Sequence, residues 1–177
     1  TGSGVFFITV FVVLSYIFVP MDWFKASVIA LTWSMMLTGY LDDRSTFSWG
    51  EYRKALLDLV ITAAASVLLA LCLKSSDPEG KIYFWLPFVS NKIQVAPWLF
   101  TVISTVMLWA SVNTTNCTDG VDGLSSTLVL IALLTLGVVF YFIFGHKDIA
   151  AYLLVPHIKD GAAWAVMIFC MAGVLMG

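Results

Sequence analysis

The chain has 177 residues, of which 60% are hydrophobic and 11% charged, with a formal net charge of -2 and a mean hydropathy of +0.95. That balance excludes an ordinary soluble domain, in which about a quarter of residues are charged. The small net charge and the lack of any basic run exclude a nucleic-acid binder. Cys72, Cys117 and Cys170 are odd in number and scattered in or beside apolar segments, which excludes a disulfide framework and leaves them as small apolar residues.

An integral membrane protein is therefore expected, all-α and polytopic, because backbone groups in lipid must be satisfied within each element and the alternation of a barrel is absent. Six apolar runs approach the roughly 20 residues needed to cross a ~30 Å hydrocarbon core. They lie at about 4–20, 23–41, 55–73, 97–115, 124–145 and 161–177. Ahead of the first run stands Thr1-Gly2-Ser3-Gly4, with no basic leader of the kind that opens a signal peptide. These four residues suit the close approach of a phosphate or a neighbouring helix. Pro20-Met21-Asp22 predicts a tight turn, and residues 42–54 a polar segment. In the excursion over 74–96, "KIYFWLPF" and "NKIQVAPW" flank "VSN" and predict a short hairpin, with Trp85 and Trp98 as interfacial anchors. Residues 146–160 hold an apolar patch too short to cross, which predicts a surface-lying helix. No internal repeat stands out, so 1–177 reads as a single transmembrane domain. With no initiator methionine and an apolar final stretch, "MAGVLMG", the chain reads as an internal piece of a longer protein.

Two polar clusters interrupt this pattern: Asp42-Asp43, and the run "NTTNCTDGVDGLSS" over 113–126. Two predicted spans separate them, and an even number of crossings returns the chain to the same side. Charged and amide groups at a membrane edge are costly and mark functional sites. Counting Lys and Arg over the loops, Arg44, Arg53 and Lys54 share the acidic side, while Lys25, Lys74, Lys81, Lys92, Lys147 and Lys159 lie opposite. Taken literally, the positive-inside rule puts the aspartates outside.

Adjacent residues on a helix point about 100 degrees apart, so Asp42 and Asp43 do not converge on one atom without unwinding. One could bind a metal while the other acts as a base. Asn113, Asn116, Asp119 and Asp122 recur every three residues, and Gly120 and Gly123 predict a helix break that seats both aspartates on a turn. The bland alternative is a polar turn, since Asp-Gly is a common turn dipeptide. Asn113 and Asn116 also open glycosylation sequons, too close to the bilayer to be good acceptors. Asp58 can pair with Lys54 on its own helix. His146 and His157 lack metal-ligand spacing and read as solvated loop residues. Carboxylates and amides gathered at helix ends suit a hard oxygen site for Mg2+ that draws in phosphates. A lipid phosphotransferase fits this set; a cation transporter is the alternative, and acids at helix ends rather than mid-bilayer favour the enzyme.

The same residues carry a resemblance. "NTTNCTDGVDGLS" is similar to the N-x-x-N-x-T-D-G-x-D-G-L signature of the polyprenyl-phosphate N-acetylhexosamine-1-phosphate transferase superfamily, and "GYLDDRS" resembles its G-[FY]-x-D-D segment. "TGSG", "FWLPF" and "AAYLLVPHI" match further segments in the expected order, and the Thr118-Asp119 pairing points to the branch acting on phospho-MurNAc-pentapeptide.

The resemblance implies a ten-helix membrane fold, often dimeric, in the bacterial cytoplasmic membrane with the acids facing the cytoplasm. It thereby overrules the lysine count. It implies transfer from UDP-MurNAc-pentapeptide to undecaprenyl phosphate with Mg2+, sensitive to uridine nucleoside inhibitors, with the sister GlcNAc-1-phosphate transferases as the alternative. By position it implies Asp42 as the base acting on the lipid phosphate and Asp43 at the phosphate site. Asn116 and Asp119 would lie against the sugar nucleotide, with Asp119 also counted among the catalytic and metal-binding residues. Asp122 and the Gly120 backbone would hold the uracil, Thr1 would line the groove, and Asn113 would support the metal. Thr46 and Asp58 depart from the family pattern, which often has lysine and glutamine there. A further aspartate ligand and a histidine-rich loop are expected beyond Gly177, so the 177 residues alone are expected to be inactive.

Overall fold

The computed structural model describes residues 3–44, 50–77, 79–84, 93–118 and 123–177; the side chains of Ser3, Asp43, Glu51 and residues 116–118 also lie outside the described set. The described chain is all-α apart from one small hairpin. Helices α1 (Ser3–Phe18), α2 (Trp23–Arg44) and α3 (Glu51–Ser76) are followed by strands β1 (Ile82–Phe84) and β2 (Ile93–Val95). Then come α4 (Pro97–Thr118), α5 (Leu124–Val138), a π-helical turn (Val139–Phe144), α6 (Lys147–Tyr152) and α7 (Gly161–Met176). Each of the six apolar runs thus coincides with a helix. Two of these, over Tyr52–Ser76 and Leu124–Phe144, are long and apolar enough to cross a membrane, and Gly4–Phe18 and Gly161–Met176 are shorter apolar helices.

The chain divides into two compact units. The first contains α2, α3, the hairpin and α4, with α3 packed against both neighbours. Asp22, just before α2, accepts the Lys25 backbone N–H at 2.8 Å on Oδ1, while its Oδ2 takes the Lys25 ammonium at 2.8 Å. One carboxylate thereby satisfies an orphan amide of the first turn and neutralises a lysine that is almost wholly buried. The predicted hairpin is present, with Ile82 opposite Val95, Tyr83 opposite Gln94 and Phe84 opposite Ile93; its turn, Trp85 included, lies outside the described residues. Ile82 packs with Ala70 and Phe100, which ties the hairpin to the end of α3 and the start of α4. At the other end of the same two helices, the Trp109 indole N–H donates to the Ala55 carbonyl. Contacts at both ends make α3 and α4 antiparallel. An open apolar groove of about 280 Å3 runs between α2, α3 and α4, lined by Leu31, Met35, Ile61, Ala65, Leu108 and Val112 among others.

The second unit contains most of α1 with α5, the π turn, α6 and α7. Gly123 opens α5 at φ +82, the left-handed conformation that glycine adopts without steric cost. This agrees with the predicted glycine break after α4. The surface helix expected over 146–160 is a correction: only Lys147–Tyr152 is helical. Leu154 turns at φ 55, the Val155 N–H returns to the Ala150 carbonyl at 3.0 Å, and the Ile158 N–H reaches the Phe144 carbonyl at 2.9 Å. The helix end at Phe144 leaves carbonyls without intrahelical partners, and His146 and His157 take two of them. Their Nδ1 atoms lie 2.9 Å from the Tyr141 and Phe144 oxygens, and because a carbonyl only accepts, Nδ1 carries the proton in each. Expected as solvated loop residues, both are exposed and also serve as helix terminators.

Candidate active site

Asp42 sits in the last turn of α2, and Lys54 in the first turns of α3. Each charge is on the unfavourable end of its own helix: carboxylates are repelled by C-terminal carbonyls and cations by N-terminal amides. They meet each other instead. Lys54 Nζ lies 2.5 Å from Asp42 Oδ2, with the Asp42 side chain only 9% exposed and that of Lys54 52% exposed. The acid is thus nearly buried while the lysine keeps about half of its side chain in contact with solvent. Arg44 Nη1 lies 3.5 Å from the Tyr40 hydroxyl one turn back along α2.

α4 brings the amide. Asn113 Nδ2 donates to the Trp109 carbonyl at 2.8 Å. One amide hydrogen is thus committed to the helix and the amide plane is set, leaving Oδ1 as an acceptor for a ligand or metal. Trp109, one turn earlier, is the residue whose indole reaches the Ala55 carbonyl at 2.9 Å. Ala55 is the immediate neighbour of Lys54, so one turn of α3 meets Asp42 of α2 through a side chain and Trp109 of α4 through a backbone carbonyl. Asp42 and Asn113 accordingly share one end of α3, as the even count of predicted spans required.

The remaining candidate residues fall outside the described set. Thr1, Asp119, Gly120 and Asp122 are outside the described residues, as are the side chains of Asp43 and Asn116; the Asn116 backbone belongs to α4. Among the described residues, no group of three His, Cys, Asp or Glu side chains could hold a metal ion. Two features were not anticipated. Asp58 can snorkel or pair with Lys54 on its own helix, but the Lys54 ammonium also reaches Asp42 across to α2; the signal available was that both charges sit at the wrong helix ends. No pattern in the sequence pairs the Trp109 indole with a backbone carbonyl 54 residues away.

An acid, a lysine and an amide gathered at one end of apolar helices define a helical protein of membrane type with a polar site at a helix boundary. The model of glycosyl transferase family 4 matches residues 25–177, and the chain belongs to that family. It is 50% identical over all 177 residues to the phospho-N-acetylmuramoyl-pentapeptide-transferase of Treponema pallidum (strain Nichols), covering 48% of that protein. It is 36% identical over 141 residues to the enzyme of that name from Nostoc punctiforme, a match of 77% of this chain and 38% of the relative. For Gemmatimonas aurantiaca the figures are 40% over 95 residues, 54% of this chain and 25% of the relative. The chain thus spans about half the length of the first of these relatives, or less.

Proposed function

We propose that the protein transfers phospho-MurNAc-pentapeptide from UDP-MurNAc-pentapeptide to undecaprenyl phosphate, giving lipid I and UMP. The observation that carries this reading is the nearly buried Asp42 carboxylate, paired with Lys54 at the end of α3 where α4 delivers Asn113. Asp42 takes the proton from the lipid phosphate. A freed phosphate oxygen then bonds to the sugar-bearing phosphorus, and the bond from that phosphorus to the bridging oxygen breaks, releasing UMP. Lys54 balances the charge of Asp42 before the substrate arrives. Asp43 lines the phosphate site, Asn116 and Asp119 meet the sugar nucleotide, Asp122 and the Gly120 backbone hold the uracil, and Thr1 lines the same groove. A double displacement through an aspartyl phosphate is the competing route, which a single-turnover attempt to trap phospho-enzyme distinguishes.

Carboxylate and amide oxygens are the donor types that Mg2+ takes, so Asp119, supported by Asn113, is proposed to hold it. When bound, the ion would neutralise diphosphate charge. The protein is proposed to work as a homodimer in the bacterial cytoplasmic membrane, with several helices crossing and the acids toward the cytoplasm. The test is UMP release by the full-length protein in phospholipid vesicles, with UDP-MurNAc-pentapeptide compared with UDP-GlcNAc. Release from the first substrate, lost in EDTA and in Asp42→Asn, is expected. Preference for UDP-GlcNAc would reassign the protein to the sister enzymes, and full turnover by Asp42→Asn would remove the assigned base.

A further inference from the structure

We propose that Trp109 is a positioning residue, whose indole N–H on the Ala55 carbonyl holds α3 in the rotation that brings Lys54 to Asp42. The inference rests on the reading of Asp42 above, but its geometry stands without it. Between apolar helices in lipid, packing alone specifies rotation weakly, because lipid tails compete on equal terms with apolar side chains. A hydrogen bond from a rigid indole to one backbone carbonyl is directional and selects a single rotation. Here the acceptor belongs to the residue next to Lys54, in the same turn, so the lever arm between the contact and the ion pair is one residue long. A helix rotated by one position would swing Lys54 by about 100 degrees and carry its Cα away from α2. Trp109 also accepts the Asn113 amide, but through its backbone carbonyl. Replacing the indole therefore removes the Ala55 contact and leaves the Asn113 contact in place. An ordinary packed tryptophan would affect the stability of the unit as a whole; a positioning tryptophan affects Lys54 in particular.

Lysine reactivity separates these two roles without any need for turnover. The full-length protein in phospholipid vesicles is labelled with a limiting amine acylating reagent, and each lysine is quantified by mass spectrometry in the parent, Trp109→Phe and Asp42→Asn. Phe keeps most of the ring volume and deletes the donor. Lys54 should react severalfold faster in Trp109→Phe, approaching the rate in Asp42→Asn where its partner charge is gone. Lys25, buried on Asp22 in the same unit, should keep its parent rate. Unchanged Lys54 labelling in Trp109→Phe would overturn the proposal. A parallel rise at Lys54 and Lys25 would also overturn it, since Trp109 would then only support the fold.

Turnover adds a second arm. Trp109→Phe should lower kcat about three- to tenfold, on the scale of one interhelical hydrogen bond, with KM for the UDP-sugar within about twofold. In a Lys54→Met background the same substitution should have no further effect. Equal losses in both backgrounds would overturn the assignment. If the parent turns over neither UDP-sugar, the transferase reading fails while the labelling result still decides the role of Trp109.

Discussion

At the scale of single residues, charge placement separates structural pairs from the candidate site. Asp22 and Lys25 form a local pair: the acid precedes the helix, where the dipole welcomes it, and caps the first turn. Hydrogen bonds from the Lys25 side chain, then from its backbone, hold the Asp22 carboxyl below the usual carboxylate range. A depressed folded-state value means that the unfolded chain protonates first on acidification. The contribution is therefore intact above the ordinary value of about 3.9 and is lost as pH falls through the lower folded one. Asp22→Asn should be less stable than the parent at neutral pH, and the difference should close between pH 5 and the most acidic tolerated condition, as thermal unfolding in vesicles would register. Asp42 and Lys54 form the other kind of pair, each at the wrong end of its own helix. Removing only the lysine takes its ammonium away from a nearly buried carboxylate. Because the ammonium is half in solvent, the expected cost of Lys54→Met is about 1 kcal/mol rather than the 3–5 of a fully buried pair. The double variant with Asp42→Asn should recover most of that loss in chemical denaturation.

At the scale of elements, glycine positions and the π turn govern the second unit. A Cβ built on Gly161 would lie 2.8 Å from the Gly145 Cα and 2.9 Å from the Phe140 carbonyl oxygen, both backbone atoms that cannot step aside. Gly161→Ala should therefore destabilise the protein by about 1–3 kcal/mol, as overpacking does, measured by unfolding in detergent. Gly123 has open space around it, so its constraint is the backbone angle alone; Gly123→Ala should cost about 1–2 kcal/mol. That break was legible because Gly120 and Gly123 interrupt an otherwise helical series. The π turn was not, since "VFYFIF" reads as ordinary apolar helix; the carbonyls left open at its end are taken up by His146, His157 and Ile158. Sequence spacing showed two histidines with no mutual pattern, because what relates them is one carbonyl register.

At the scale of the whole molecule, the solvent is written on the surface. Val102, Val106 and Met107 on α4, and Leu128 and Ile131 on α5, are all exposed. Water-facing surfaces do not carry apolar residues at this density, and lipid-facing ones do. Membership of glycosyl transferase family 4 gives this arrangement a chemical context. The vesicle assay with two UDP-sugars tests the chemistry at this scale, and loss of UMP release in EDTA tests the metal.

Composition and hydropathy alone determined that the chain is helical and apolar, because the cost of unpaired backbone in lipid leaves few other solutions. The parity of predicted crossings put Asp42 and Asn113 on one side, and the structure has both at one end of α3. Asp-Gly dipeptides likewise marked the helix break at Gly123, and the two strand-like stretches flanking "VSN" marked the hairpin that pairs Ile82 with Val95. Tertiary structure decided which charge meets which: Lys54 with Asp42 across two helices, and Trp109 with Ala55 across the next pair. Those choices depend on the rotation of α3 about its own axis. An apolar helix with no strong polar stripe carries almost no record of that angle in its sequence, and only its neighbours fix it.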